Sequence, residues 1–270
     1  MASRRNTPAG TSIPDRPRLT ARSVIASTLL GVEPPELPTR SLVASAELLG
    51  VSPGTARVAM SRMVAAGELQ TTSEGYRLAG HLLARQARQA QSRTGTPAGW
   101  SGAWRTVLVP GEARSAADRA DLRRAMTALR YGELRDGVWL RPDNLPAGAL
   151  DSAEAVAADQ AIALVGPLDP AVDPSVLARS LWDLDGWAET AAALLEELDP
   201  LQQRLDDDDA TALADGFVAS AAVLRHLQAD PLLPTALLPA DWPGAGLRAS
   251  EDRFDLAFKA VLRRWLLARR

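Results

Sequence analysis

The sequence predicts a multidomain α+β protein with an N-terminal winged helix-turn-helix, a middle ferredoxin-like α+β domain and a C-terminal helical domain. Three observations support this prediction. Residues 39–79 run in the order helix, turn, helix and two-stranded ribbon. Residues 100–168 alternate short apolar strands with amphipathic helices. From about residue 173 onwards, helical periodicity dominates.

Changes in composition give the domain boundaries. We expect a flexible tail at 1–18, an N-terminal domain at 19–95, a middle domain at 100–170 and a helical domain at 173–270. The chain has no cysteine and no apolar run long enough to span a membrane, and its first residues lack the apolar core of a secretory signal. These features predict a cytoplasmic protein with no membrane partner. Lys259 is the only lysine among 30 basic residues, which suggests a GC-rich bacterial genome.

The first helix of the motif follows an amphipathic helix at 20–31, whose inward residues are Val24, Ile25, Thr28 and Leu29. A proline-rich extended link separates the two helices. Thr39 is the expected N-cap of the motif's first helix. Its buried stripe is Leu42, Ala46 and Leu49. Gly50 then suits the position after the helix, where the backbone needs a positive φ.

The second helix of the motif begins at Ser52, with Pro53 in the first helical position. Its inward residues are Ala56, Met60, Met63 and Val64. Its outward residues are Thr55, Arg57, Val58, Ser61 and Arg62. Strands at 68–72 and 76–79, joined by a tip at 73–75, complete the outline of a winged helix. Such a module commonly places its second helix in the major groove of DNA.

This outline predicts the DNA-binding residues. Ser52 and the outward residues of the second helix are expected at base edges and flanking phosphates of double-stranded DNA. Thr39 and Arg40 are expected to hold a phosphate through a backbone N–H and a guanidinium group. Arg77, just past the tip, is expected in the adjacent minor groove or on its backbone. In the alternative interpretation, the module contacts only protein, but that role does not require an outward arginine pair.

Charge is divided unevenly along the chain. Residues 1–99 carry 12 basic and 6 acidic residues, whereas residues 100–270 carry 18 basic and 27 acidic residues. A basic end joined to an acidic body is expected when one domain meets phosphates and the rest does not.

The middle domain is predicted to contain strands and helices in alternation. The strands are expected at 104–110, 137–142 and 161–165, and the helices at 116–129 and 152–159. The C-terminal domain is predicted to contain helices at 177–198, 210–228 and 250–270, separated by loops at 200–209 and 230–244.

Few residues suggest enzymatic chemistry. His81 and His226 are the only histidines, and the common hydrolase and nucleotide-binding motifs are missing from the sequence. A ferredoxin-like domain also occurs in metal-dependent nucleases, but these need an acid at the end of the first strand, and none precedes Glu112 here. Four consecutive acids at 206–209 lack the spacing of a calcium loop and predict a solvated loop. We therefore expect no enzyme, no catalytic residues, no metal and no cofactor.

Several segments together resemble the PaaX family of bacterial transcriptional repressors, named for phenylacetate catabolism. They are TARSVIASTLLG, ARVAMSRMVAAGEL, WSGAWRTVLVPGEARSAADRADLRRAMTALRYGELRDGVWLRP, LWDLDGWA and DPLLPTALLPADWPG, in the family's order. The resemblance implies a homodimer that binds a DNA operator and releases it when a small effector binds. In the founding members that effector is an aryl-CoA thioester.

The effector itself is left open by the sequence. Ala191 and nearby alanines stand where aromatic residues are expected after LWDLDGWA. Arg179, Arg225 and Arg248 are candidates for contacts with the phosphates of a CoA thioester, but nothing in the sequence distinguishes them from surface arginines. The effector-binding residues therefore remain unassigned, and the effector is expected to act without contacting the winged helix.

Overall fold

The computed structural model describes residues 20–83, 99–110, 115–146 and 151–268. The chain is a mixed α+β protein with three successive units, each of which has its own hydrophobic core. The tail predicted at 1–18 and all of the excess positive charge counted over residues 1–99 lie outside the described residues.

The N-terminal unit packs three helices against a small antiparallel sheet. Its elements are α1 (Ala21–Leu30), β1 (Glu36–Pro38), α2 (Thr39–Leu48), α3 (Pro53–Ala65), β2 (Leu69–Thr71) and β3 (Gly75–Leu78), with strand order β1-β3-β2. The residues predicted inward on these helices are buried, with Thr28, Leu49 and Val64 half-buried. Helical periodicity alone therefore identified the core-facing side of each helix.

One local prediction in this unit was wrong, and a second was incomplete. Thr39 is the first residue of α2, and Pro38 holds the N-cap position without a side-chain hydrogen bond. The proline-rich link contains β1, which pairs with β3. A Cβ added at Gly75 would lie 2.1 Å from the Leu37 carbonyl oxygen, so the close approach of β1 to β3 requires glycine there. Prolines around so short an edge strand hid it from the sequence pattern.

The middle unit is a βαββαβ arrangement. It consists of β4 (Ala103–Leu108), α4 (Ala116–Ala128), β5 (Gly132–Arg135), β6 (Val138–Pro142), α5 (Asp151–Gln160) and β7 (Ile162–Pro167). The four strands are antiparallel in the order β5-β6-β4-β7, the ferredoxin-like order. Sequence reasoning missed β5. Its signal was the Asp136-Gly137 pair, a typical two-residue hairpin turn in which Gly137 has a φ of +75°.

The two faces of the middle sheet meet different partners. On one face, Val107 and Trp139 pack against Leu122 and Met126 of α4. On the opposite face, Trp104 packs with residues of the C-terminal unit. Both faces of the central strands are therefore covered.

The edge strand β7 differs from the central strands. Ile162, Leu164 and Val165 are 59%, 54% and 51% exposed, although all three are large apolar residues. The described part of the chain leaves this edge uncovered, which is typical of a surface that meets a partner.

The C-terminal unit contains α6 (Pro174–Leu181), α7 (Leu184–Asp206), α8 (Leu213–Gln228) and α9 (Gly244–Leu267). The single helix predicted at 177–198 is divided, because Asp183 accepts a hydrogen bond from the Gly186 N–H (3.0 Å) and begins a new helix. The loop predicted at 200–209 was mostly wrong, since α7 continues through Pro200. Buried leucines on both sides of that proline offset its missing hydrogen bond.

The C-terminal unit contacts both of the others. The Asn144 side chain donates to the Leu232 carbonyl (2.8 Å), and Arg130 donates to the Gln228 carbonyl. Leu48 of α2 packs against the core of the C-terminal unit. The position of α2 is therefore set partly by the C-terminal unit.

Candidate nucleic-acid interface

The start of α3 is fixed by its caps. Gly50 has a φ of +77°, and the Val51 N–H donates to the Ala46 carbonyl (2.8 Å), which closes α2 with a tight left-handed turn. The Ser52 hydroxyl accepts from the Thr55 N–H (3.2 Å), with Pro53 as the next residue. The turn and both caps are as the sequence predicts.

The outward face of α3 is also as the sequence predicts. Its exposed residues are Thr55, Arg57, Val58, Ser61 and Arg62. The opposite face is anchored in the core by Ala56, Met60 and Met63, which are at most 1% exposed. Side chains on the outward face are thus presented from a rigid element.

The electrostatic character of this face is positive. α3 contains Arg57 and Arg62 and no acidic residue. Within the described residues, neither arginine has an ion pair, so both guanidinium groups are available to an anion. The described unit, residues 20–83, has equal numbers of basic and acidic residues. The positive charge on α3 is therefore local.

The start of α2 is less suited to a phosphate than expected. The Thr39 N–H, predicted as the donor to a phosphate, already donates to the Glu74 carbonyl (3.3 Å). Arg40 is exposed, but it borders a cleft between α2 and the C-terminal unit. The predicted site therefore lacks its backbone donor.

Arg77 lies in the central strand β3. It donates from Nε (2.9 Å) and Nη2 (2.6 Å) to a single carboxylate oxygen of Glu36 on β1. This hydrogen-bonded contact holds the pKa of Glu36 below its ordinary value. An incoming phosphate must compete with Glu36 for Arg77.

The three arginines considered for an effector have different surroundings. Arg248 is largely buried and donates to Asp230 (2.6 Å). Arg179 lies 3.4 Å from Asp185 on the surface. Of these three, Arg225 lines the cleft between α1 and α2 on one side and the C-terminal unit on the other, and the other two do not line that cleft.

His226 belongs to an aromatic stack. Its ring lies 4.3 Å from that of Trp187, which in turn lies 4.4 Å from that of Trp242. Its Nε2 donates to the Trp187 carbonyl (2.9 Å), and burial lowers its pKa. These contacts give His226 a structural role in the C-terminal unit. His81 is exposed, 3.6 Å from a carboxylate oxygen of Glu68.

Metal-binding and membrane-spanning features are missing from the described ranges. Within them, no group of three histidine or acidic side chains is placed to hold a metal ion, and no helix is long and apolar enough to cross a membrane. The acidic run at 206–209 lies at the end of α7. There Asp208 accepts a hydrogen bond from Arg264, and Asp209 accepts one from Arg204.

Sequence reasoning missed a large cleft between the N-terminal and C-terminal units. A cleft of about 1010 Å³ lies between α1 and α2 on one side and α8 and α9 on the other. Ser41 and Ser45, one turn apart on α2, are among its lining residues. In the sequence, this cleft was indicated locally only by two small polar residues beside the buried stripe of α2.

Comparison with known proteins covers all three units. Residues 20–82 match the family model of PaaX-like protein, residues 97–166 the PaaX protein central Cas2-like domain, and residues 182–265 the PaaX-like protein C-terminal domain. No curated protein matches the chain. A solved structure, that of the uncharacterized protein Rv0674 from Mycobacterium tuberculosis, is 43% identical over 91% of this chain and 98% of that one, with a TM-score of 0.71.

Proposed function

We propose that this chain, which belongs to the PaaX-like family, is a sequence-specific DNA-binding repressor of a catabolic operon that a small effector releases. Members of this family are generally transcriptional regulators. The observation that carries the proposal is the outward face of α3, where Arg57 and Arg62 are exposed on a helix with no acid. The N-terminal unit acts as a winged helix-turn-helix, with α2 and α3 as its helix pair and β2 and β3 as its wing.

In this proposal α3 is the recognition helix. Arg57 and Arg62 meet base edges or phosphates in the major groove, with Thr55, Val58 and Ser61 beside them. Ser52 keeps the start of α3 in place, and its hydroxyl lies 2.8 Å from that of Thr55. Arg77 binds the backbone beside the wing after leaving Glu36.

Selection of binding sites from random-sequence duplexes tests the DNA-binding proposal. The full-length protein is expected to enrich one sequence, arranged as an inverted repeat. The Arg57→Ala, Arg62→Ala double variant is expected to enrich none, while its circular dichroism spectrum stays that of the wild type. If the wild-type protein enriches no sequence, the alternative of a protein-interaction module is favoured.

We also infer a homodimer formed through the middle unit. The exposed apolar residues of β7 support this inference, because an uncovered strand edge can pair with its copy. Two linked α3 helices gain affinity from effective concentration. Sedimentation velocity is expected to show a dimer for the wild type and a monomer for Leu164→Glu. The control is Leu256→Glu, at an apolar α9 residue that is 70% exposed, and it should stay dimeric. A dimeric Leu164→Glu would exclude β7 as the interface.

A further inference from the structure

The cleft between the N-terminal and C-terminal units has the size of a small-molecule site. Its volume of about 1010 Å³ is at the upper end of the roughly 300–1,000 Å³ that is typical of ligand pockets. One wall is formed by α1 and α2, and the opposite wall by α8 and α9. A ligand in this cleft therefore touches both units at once.

The C-terminal wall of the cleft combines polar side chains with an apolar part. Phe217 and Leu224 of α8 and Phe258 and Leu262 of α9 line it, and all four are half-buried. The Phe217 and Phe258 rings lie 6.5 Å apart. This wall suits an acyl chain or an aromatic ring.

Cations surround the apolar part of this wall. Arg40 of α2, Arg225 of α8 and Arg263 of α9 line the cleft and are exposed. In the part of the chain that the structure describes, none of the three has an ion pair. Lys259 also lines the cleft but bonds Asp255 (2.8 Å). The three arginines can therefore bind an anionic group of a ligand in the cleft.

Ser45 supplies an independent indication of a ligand. It lines the cleft and is only 4% exposed, yet its hydroxyl has no hydrogen-bond partner. Thr28, which lines the same cleft from α1, instead donates to the Val24 carbonyl of its own helix (2.9 Å). A buried hydroxyl left unpaired is unfavourable, so a polar atom of a ligand is the partner that this site lacks.

We propose that this cleft is the effector site and that it takes an amphipathic anion. The apolar part of the ligand lies against Phe217 and Phe258, its anionic part meets the arginines, and one of its polar atoms bonds Ser45. Two sources share this chemistry: a free carboxylic acid, and an acyl thioester that carries phosphates. The regulatory part of this inference rests on the proposed function of α3.

The position of the cleft explains how occupancy reaches the DNA. The helix α2 contacts the ligand through Ser45 and packs against α3 in the core of the N-terminal unit. A ligand that bridges α2 and α9 fixes the orientation of α3 relative to the C-terminal unit. Operator affinity falls when that orientation fits DNA poorly. This differs from the expectation that the effector leaves the DNA-binding unit untouched.

Calorimetry on the full-length, DNA-free protein tests the cleft directly. The probes are octanoate and octanoyl-CoA. The probe that binds more tightly shows whether the cleft prefers a free acid or a thioester that carries phosphates. Saturable binding of at least one probe is expected. The Arg225→Glu, Arg263→Glu double variant is expected to bind that probe about tenfold more weakly or worse. Arg253→Glu, at an exposed arginine of α9 that does not line the cleft, is the matched control and should bind normally.

Ser45→Ala separates a ligand contact from a structural role. It is expected to weaken probe binding severalfold while the melting temperature of the free protein stays equal or rises, because the unpaired hydroxyl is removed. The proposal is overturned if neither probe binds, or if the double variant and Ser45→Ala both bind as the wild type does.

Operator affinity measured with and without the probe tests regulation separately. Probe binding by a protein that selects no DNA would contradict the proposed function and leave the cleft assignment intact.

Discussion

The outward face of α3 and the block around Asp230 use arginine in opposite ways. Arg57 and Arg62 are exposed, and within the described residues they have no ion pair. Arg248 is 12% exposed and lies 2.6 Å from Asp230, whose side chain is 3% exposed. Exposed, unpaired guanidinium groups are available to phosphates, whereas a buried pair joins two segments of the fold.

This difference separates a segment that carries the family resemblance from the proposed DNA-binding surface. The segment DPLLPTALLPADWPG is one of those that carry the resemblance, and the contacts described for it are internal. Asp230 accepts from the Leu232 N–H (2.8 Å), and Trp242 stacks on Trp187. The α3 segment, by contrast, presents exposed cations. Four predictions test this separation, in order of decreasing effect.

Removing the buried carboxylate is expected to have the largest effect. Asp230→Ala should lower the free energy of unfolding by about 3–5 kcal/mol, because a buried carboxylate that accepts from both the Arg248 guanidinium and the Leu232 N–H is lost. Urea denaturation followed by tryptophan fluorescence measures this. Asp208→Asn, which removes the charge of an exposed partner of Arg264 and keeps a side chain tolerated at the φ of 61° found there, is the control and should cost roughly 0–1 kcal/mol. Equal losses in the two variants would contradict the structural role of the Asp230 block.

Removing the α3 arginines is expected to weaken DNA binding and to leave the stability of the fold unchanged. Arg57→Ala and Arg62→Ala should each weaken operator binding by about 1–3 kcal/mol, with the free energy of unfolding unchanged because both side chains are exposed. Fluorescence anisotropy with a selected operator measures this loss, and Arg253→Ala is the control. Wild-type affinity in both folded variants would remove α3 from the interface.

Acidification is expected to destabilise the C-terminal unit through His226. Its folded-state pKa is depressed by burial below the ordinary 6.5. The folded protein therefore favours the neutral ring. The stability that this preference contributes is fully present above pH 6.5 and is lost as the pH falls through the folded-state pKa. His226→Gln should flatten the dependence of the unfolding free energy on pH below 6.5. An unchanged slope in His226→Gln would assign the acid sensitivity elsewhere.

Freeing Arg77 is expected to have the smallest effect. Glu36→Gln removes the carboxylate that pairs with Arg77. In this variant Arg77 can contact DNA without first breaking an ion pair. Operator binding should tighten slightly, and by less than Arg57→Ala weakens it. Anisotropy at two salt concentrations checks this, with Glu47→Gln on α2 as the control. Unchanged affinity would mean that Arg77 stays away from the DNA backbone.

Much of the fold followed from local sequence signals. The caps at Ser52 and Gly50 depend on neighbouring residues, and helical periodicity needs only one helix, so both could be predicted. The missed strands, β1 and β5, are three and four residues long and gain their order from pairing. Short segments carry too little periodicity to reveal such pairing.

The candidate site divides in the same way. By itself the sequence determined which residues of α3 point outward, because the apolar residues that anchor the helix repeat at its own period. Only the tertiary structure decided that Arg77 bonds Glu36, 41 residues away, and that Arg248 bonds Asp230. It also decided that the Ser45 hydroxyl lies beside a cleft shared with α8 and α9. Such partners come from distant segments, and their choice depends on how whole units pack, which no local pattern encodes.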